Sequence, residues 1–520
     1  MFESEILSFG TGLIKQSYFL RWIYNQVDSK EEFKYQSVIF SFVQKPVTWT
    51  NALFDLLVSQ TYISTFARKI DLKSVVLFFF IVAQVIFPGY GTADTGVTLL
   101  PGSPAGSLGN QSGFVLDLII FSFSIAAILV LFARDVNKHH EAFNFSRFEI
   151  IILLLLLTLG TSTFFSAYIS ISFPWLIKIC RGLVIYFIFS RLKIERRHLI
   201  VICFAFLAVA YFESILAVIQ YIHGGFIGSA VETAGNISTS KILYTPFDGS
   251  LVFRATGTLT QSNILSFFFG FILPFSLFFL FSKGKLTRIL SIMSTILCFV
   301  ASIFTLSRWG TLTLLFSLVT FLILTYIIKP KKINSRFLLI SVMVLLIVLF
   351  ITFITSYNLL TRFSSFSGND TSLSTRMQLI IQSLYVIQHN FIFGIGGGTF
   401  AQYMINNDFT PLQISRIFPA PVHNSTLLII SESGLTSFLL LITGMFYFLL
   451  FFLKNIKRLY LYKNNIYGLV LIAMAASSLT YLFNGMWEIR SLSEHLGILL
   501  WMNIGLFFGI IRSKNPLPIS

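Results

Sequence analysis

The sequence predicts an all-α polytopic membrane protein with about twelve transmembrane helices and long external loops. Three observations predict this. The 520 residues are 55% hydrophobic and 11% charged, with a mean hydropathy of +0.81, whereas a soluble domain carries about 25% charged residues. Apolar runs long enough to cross a bilayer, about 20 residues each, recur along the chain. The positive charge is concentrated in alternate loops between those runs.

Taken in order, residues 1–73 are mixed in polarity and read as a cytoplasmic or interfacial N-terminal extension. Their first residues, MFESEILSFG, do not form a cleavable signal, so the first span is expected to remain as an anchor. A transmembrane domain follows over 74–520. Its expected spans are 74–90, 114–133, 148–164, 173–190, 199–221, 263–282, 289–306, 309–328, 337–356, 423–453, 466–484 and 495–511. The run from Asn424 to Lys454 is long for one span and is expected to tilt or project. The 60 phenylalanines suit lipid-facing helix surfaces.

One set of alternating loops holds twenty Lys and Arg, the other seven. The positive-inside rule makes the first set cytoplasmic and puts both termini there. It also accounts for most of the +16 net charge, so no nucleic-acid partner is expected. Cys180, Cys203 and Cys298 all fall within spans and form neither a disulfide framework nor a metal-ligand spacing. The large loops, 222–262 and 357–422, lie in the outer set, and loops of that size are usually functional.

Few basic residues remain on the outer side: Lys241, Arg254, Arg308, Arg362, Arg376, Arg416 and Arg490, with His223, His389, His423 and His495. Topology explains a cytoplasmic arginine but not an outer one, and the planar guanidinium suits phosphate. Arg308 occupies a two-residue bridge between spans, Ser307-Arg308, where it either reaches to lipid headgroups or grips a bound phosphate. Ser374 is placed to cap a helix carrying Met377, Ile380, Ile381, Leu384 and Ile387 on one apolar face, with Arg376 in its first turn. That arginine is either solvated or anion-binding.

The segment Phe393-Gly394-Ile395-Gly396-Gly397-Gly398-Thr399-Phe400 is neither a P-loop nor a dinucleotide fingerprint and reads as a flexible turn after a helix. His423 stands at the outer mouth of a span, as a structural histidine or as a base for a hydroxyl proton. Lys178 and Arg181 lie within a span, facing either a polar interior or, for Lys178, the surface. The outer acids Asp370, Asp408, Glu432, Glu488 and Glu494 are scattered, so neither a metal nor any other cofactor is expected.

In this order the motifs resemble the O-antigen ligase and polymerase superfamily of bacterial envelope glycosyltransferases. Four stretches within 250–450 carry the likeness: Arg254-Ala-Thr-Gly257 with Gln261-Ser-Asn263 and Pro274; Ser307-Arg308-Trp-Gly310; Arg376 with Gly394-Ile-Gly396-Gly-Gly398-Thr-Phe400; and His423-Asn424-Ser425 with Glu432-Ser-Gly434-Leu435. The resemblance implies a metal-independent inverting transferase in the bacterial inner membrane with a periplasmic active site. It would pass a glycan from polyprenyl (undecaprenyl) diphosphate to an acceptor hydroxyl such as lipid A-core. In that reading His423 deprotonates the acceptor, Arg308 and Arg376 grip the diphosphate, and Arg254 and Arg362 support them.

Two further readings belong to the same superfamily. One is an O-antigen or capsular polymerase, with a second lipid-linked glycan as acceptor; the other is a protein O-oligosaccharyltransferase. Outside it stands a transporter of the lipid-linked glycan, against which the two halves show no internal repeat.

Overall fold

The computed structural model describes residues 72–86, 146–227, 244–247, 250–259, 261–282, 284–328, 371–410, 414–417, 420–461, 465–485 and 495–514. The expected spans 114–133 and 337–356 lie outside them, as do residues 1–71, Lys241, Arg362, Asp370, Glu488, Arg490 and Glu494.

The helices are α1 (Leu72–Ile86), α2 (Arg147–Phe164), α3 (Ile169–Arg191) and α4 (Arg196–His223), then α5 (Ser262–Leu277), α6 (Lys285–Phe304) and α7 (Arg308–Ile328). After them come α8 (Thr371–His389), α9 (Phe400–Asn407), α10 (Ile414–Ile417), α11 (Ser425–Leu461), α12 (Asn465–Gly485) and α13 (His495–Lys514). Between α4 and α5 runs an antiparallel hairpin of β1 (Tyr244–Phe247) and β2 (Ser250–Phe253), with Tyr244 opposite Phe253. The protein is thus an all-α polytopic membrane protein. Among the described residues eight helices are long and apolar enough to cross a membrane. Ten of the expected spans coincide with described helices.

The basic end of the bundle is built from helix starts and ends that the chain caps itself. Ser146 Oγ accepts from Glu149 N, and Glu149 Oε2 accepts from Ser146 N at 2.6 Å. The other oxygen of Glu149 pairs with Arg191 at 2.8 Å. Glu149 is fully buried, so this pair ties α2 to α3 where water is excluded.

Phenylalanine fills the interior, not only the lipid face as its abundance suggested. Phe267, Phe268, Phe269, Phe271 and Phe275 of α5 are all buried, as are Phe189, Phe206, Phe299 and Phe321. Lipid tails are as apolar as a side chain, so helices associate through close packing, and large flat rings supply contact area. Small residues permit the closest approaches. Gly505 and Gly509 of α13 lie against the backbone of Tyr186 and Phe189 of α3, a small-xxx-small contact. Polar bonds cross the interior too: Ser317 Oγ donates to Gly270 O at 2.6 Å, and Asn503 Nδ2 to Met474 O at 2.8 Å.

The long run expected as a single span is broken. Gly434 has φ 77° and ψ 169°, so α11 consists of a short first helix and a long second one. At about 1.5 Å per residue, the stretch after Gly434 is by itself long enough to cross a hydrocarbon core of about 30 Å.

Candidate active site at one end of the bundle

Arg254, Arg308, Arg376 and His423 are carried by elements at the end opposite the Glu149–Arg191 pair. Arg254 follows β2. Its Nε donates to Thr305 O at 3.0 Å and its Nη2 to Asn263 Oδ1 at 2.8 Å. Ala255 N donates to Phe304 O at 3.1 Å. Arg254 therefore latches the end of α6 to the start of α5, and at least part of its donor capacity is structural.

The loop after it is held from α4. Gln220 Oε1 accepts from Thr256 N and Gly257 N, and its Nε2 donates to Gly257 O. Glu213 accepts from Thr258 N at 3.0 Å and from Thr258 Oγ1 at 2.5 Å. Both α4 residues are fully buried. Gly257 has φ +61°, and any Cβ there would strike the Glu213 carboxylate. Sequence reasoning missed Glu213 and Gln220. The signal was present: a carboxylate in a transmembrane run is costly unless it has partners.

Arg308 opens α7 directly after the latched turn. Leu306 there has φ 51°, a left-handed conformation costly for a branched side chain. Thr305 Oγ1 accepts from Ser307 N, and Ser307 Oγ accepts from Gly310 N at the start of α7. The Arg254 latch thus grips the residue that begins the turn carrying Arg308.

From α7 the site extends to α11 across the end of α12. Thr313 Oγ1 donates to Trp309 O at 2.8 Å, so it can only accept from Asn484, whose Nδ2 lies 3.0 Å away. Beside Asn484, Gly485 abuts Ser425. Asn424 caps α11 by accepting from Leu427 N at 2.9 Å. That leaves His423, half-buried, just outside the first turn.

Arg376 arrives by α8. That helix already begins at Thr371 among the described residues, so Ser374 lies within it and is not its cap, and Arg376 stands in the second turn. Leu379, one turn on, and Val422, the neighbour of His423, are both fully buried in one small apolar cluster. Ser383 and Ser431 bond at 2.9 Å. Arg362 lies outside the described residues, as does the side chain of Lys178. Arg181 is half-buried within α3.

The glycine segment is the opposite of a flexible turn. Ile395 N donates to Ser431 O at 3.1 Å and Gly396 N to Glu432 O at 2.8 Å. Those carbonyls can accept because the break at Gly434 interrupts the helical ladder. A Cβ at Gly434 would overlap the Ile392 carbonyl, one at Gly394 the Glu432 carbonyl, and one at Gly397 the Trp175 ring. Glu432, 4% exposed, accepts from Phe400 N at 3.1 Å through its carboxylate. It therefore caps α9, the role that the sequence left open.

Asp408, at the end of α9, knots the following turn. Its Oδ1 accepts from Gln382 Nε2, Thr410 N and Thr410 Oγ1, and its Oδ2 from Ser415 N at 2.7 Å. Burial alone would raise its pKa, but the bonds from Thr410, Ser415 and Gln382 outweigh that and hold it below the ordinary 3.8. Among the described residues no three His, Cys, Asp or Glu side chains gather as metal ligands would.

Residues 293–442 match the family model described as O-antigen ligase. Over that stretch, 150 of the 520 residues, the chain is similar to the O-antigen ligase superfamily. The match takes in Arg308, Arg376, the glycine segment, His423 and Glu432, whereas the Arg254–Pro274 stretch precedes it. The match supports a membrane glycosyltransferase-like enzyme and, in general terms, lipid-linked glycan donors and their acceptors. No curated protein matches the chain.

Proposed function

We propose that this O-antigen ligase-type protein transfers a glycan from undecaprenyl diphosphate to an acceptor hydroxyl, such as that of lipid A-core, at the periplasmic face of the bacterial inner membrane. The observation that supports the reading is that the helix opened by Arg308 and the helix that follows His423 approach one element. The start of α7 and the start of α11 flank the same end of α12, through Thr313–Asn484 on one side and Ser425–Gly485 on the other.

The chemistry follows from those groups. The imidazole of His423 takes the acceptor's hydroxyl proton as the acceptor oxygen attacks the anomeric carbon. The bond from that carbon to the diphosphate oxygen breaks, and the electron pair leaves with the diphosphate, inverting the anomeric centre. Arg308 and Arg376 stabilise the charge that grows on the leaving group, an interaction stronger in the transition state than before it. Arg254 supports them by holding the Thr305–Ser307 turn, and Arg362 completes the basic set. No step needs a metal.

The test incubates purified wild type and His423→Ala with a polyprenyl-diphosphate glycan, without added metal. Lipid A-core and a second lipid-linked glycan serve as parallel acceptors. Product on lipid A-core that the variant fails to form is the expected result, and Arg308→Ala should lower the rate by about 10²–10³. Elongated lipid-linked chains would instead make the protein a polymerase. Equal activity of wild type and His423→Ala would remove His423 from the mechanism.

A further inference from the structure

α8 is built inside out. Its inward face is half polar: Gln382 and Ser383 are fully buried beside Leu379 and Val386, bonded to Asp408, Ser415 and Ser431. Its outward face carries Met377 (56% exposed), Ile381 (48%) and Leu384 (53%), spaced to fall on one side of a helix. The apolar stripe expected from the sequence therefore exists, with Met377, Ile381 and Leu384 facing away from the protein. Water on that side would reward the reverse arrangement.

The stripe does not stand alone. Beyond Gln388 and His389 it continues into Phe391, Ile392 and Phe393, all exposed. Phe393 packs on Phe165 at the end of α2, where Phe164 and Phe165 are also exposed. Leu435 N donates to Phe391 O, and Thr436 Oγ1 to Ile392 O. This ties the row to the start of the membrane-crossing part of α11, whose outward face is Leu439, Ile442, Phe446 and Leu450. Interrupted only at Gln388–Asn390, a row of exposed apolar residues leads from a transmembrane helix onto α8, more than scattered surface residues make.

We propose that α8 lies along the membrane surface at the site end of the bundle. Its outer face rests on the acyl chains just beneath the lipid headgroups. The occupant of that face is the bilayer itself, because the face is continuous with a surface that a spanning helix must present to lipid. The segment expected as part of an external loop is thus a membrane-seated shelf, and Arg376, next to Met377, is carried at headgroup depth. The inference does not depend on the reaction proposed above.

Spin labels at Met377→Cys and Leu384→Cys test it, in protein whose native cysteines are replaced (Cys180→Ser, Cys203→Ala, Cys298→Ala), reconstituted in lipid nanodiscs. Ile442→Cys provides the lipid-facing standard. Accessibility to oxygen together with exclusion of a water-soluble nickel chelate, as at Ile442→Cys, is expected. Free access of the chelate would overturn the proposal in favour of an aqueous face. Exclusion of both reagents would overturn it in favour of a covering protein surface. Wild-type protein in liposomes doped with a diazirine phospholipid gives a check without substitutions. Peptides spanning 377–393 should be labelled along with those spanning 439–453, and labelling of the second group alone would sink the idea.

Discussion

Two loops at the site end of the bundle are each held by a carboxylate from a neighbouring helix, but by different means. The Arg254–Leu259 loop is held by Glu213 and Gln220, which project from an unbroken α4. In an intact helix the backbone carbonyls bond their own ladder first, and α4 reaches this loop through its side chains. The Gly394–Thr399 loop is held by Glu432, which precedes the break at Gly434. There the carbonyls of Ser431 and Glu432 are released to bond the loop directly, and Ser162 Oγ donates to the second of them as well. An intact helix grips through side chains that can be exchanged one at a time. A broken helix grips through backbone, and backbone contact demands glycine on both sides.

That contrast is broken most severely at Gly434. Gly434→Ala places a side chain in a backbone region open essentially to glycine alone, at about 1–3 kcal/mol, and drives its Cβ into the Ile392 carbonyl. A loss of transferase activity of about tenfold or more is expected, with a clear fall in melting temperature in detergent. Gly468→Ala in α12, where the added methyl meets nothing within 4 Å, should leave both unchanged. Equal behaviour of the two variants would remove the backbone grip from the account.

A second comparison sets the carboxylates against each other. Glu213→Ala strips two buried donors of Thr258 of their acceptor, at about 1–3 kcal/mol each at most. Glu432→Ala strips Phe400 N, while the backbone bonds of residues 431 and 432 persist. Thermal unfolding should therefore fall further for Glu213→Ala than for Glu432→Ala, and the reverse order would contradict the distinction drawn between the two loops.

The smallest effect concerns Asp408, which ties the turn after α9 to Gln382 of α8. Its folded pKa is lowered from 3.8, so its contribution to stability is present above that value. It disappears as pH falls through the lower folded value. Asp408→Asn should be less resistant than wild type to proteolysis within 405–417 at neutral pH. The difference should close in strong acid, and a gap that widened instead would reverse the assigned shift.

Much of the fold was legible because hydropathy and charge are local in the chain. Ten expected spans fall on described helices, and the basic loops mark one end of the bundle. The turn carrying Arg308 and the start of α11 at His423 were legible for the same reason. Glu213 was overlooked because its worth lies in a loop more than forty residues away. The glycine segment was misjudged because glycine is equally at home in a mobile turn and where two backbones touch. Ser374 was misplaced as a cap because a serine also sits readily inside a helix whose neighbours continue it. The stripe on α8 was found, but periodicity says which residues share a face and not what the face meets.

By itself, then, the sequence determined that this chain lives in a membrane, where its helices run, and which arginines and which histidine stand at their ends. Those properties depend on the transfer of each residue from water to lipid, and that is settled residue by residue. Tertiary structure alone decided that Arg254 latches the turn before Arg308, that Gly434 opens a helix to receive a loop, and that α8 turns its apolar side outward. Each of these depends on hydrogen bonds and close contacts between residues distant in sequence, which no local pattern encodes.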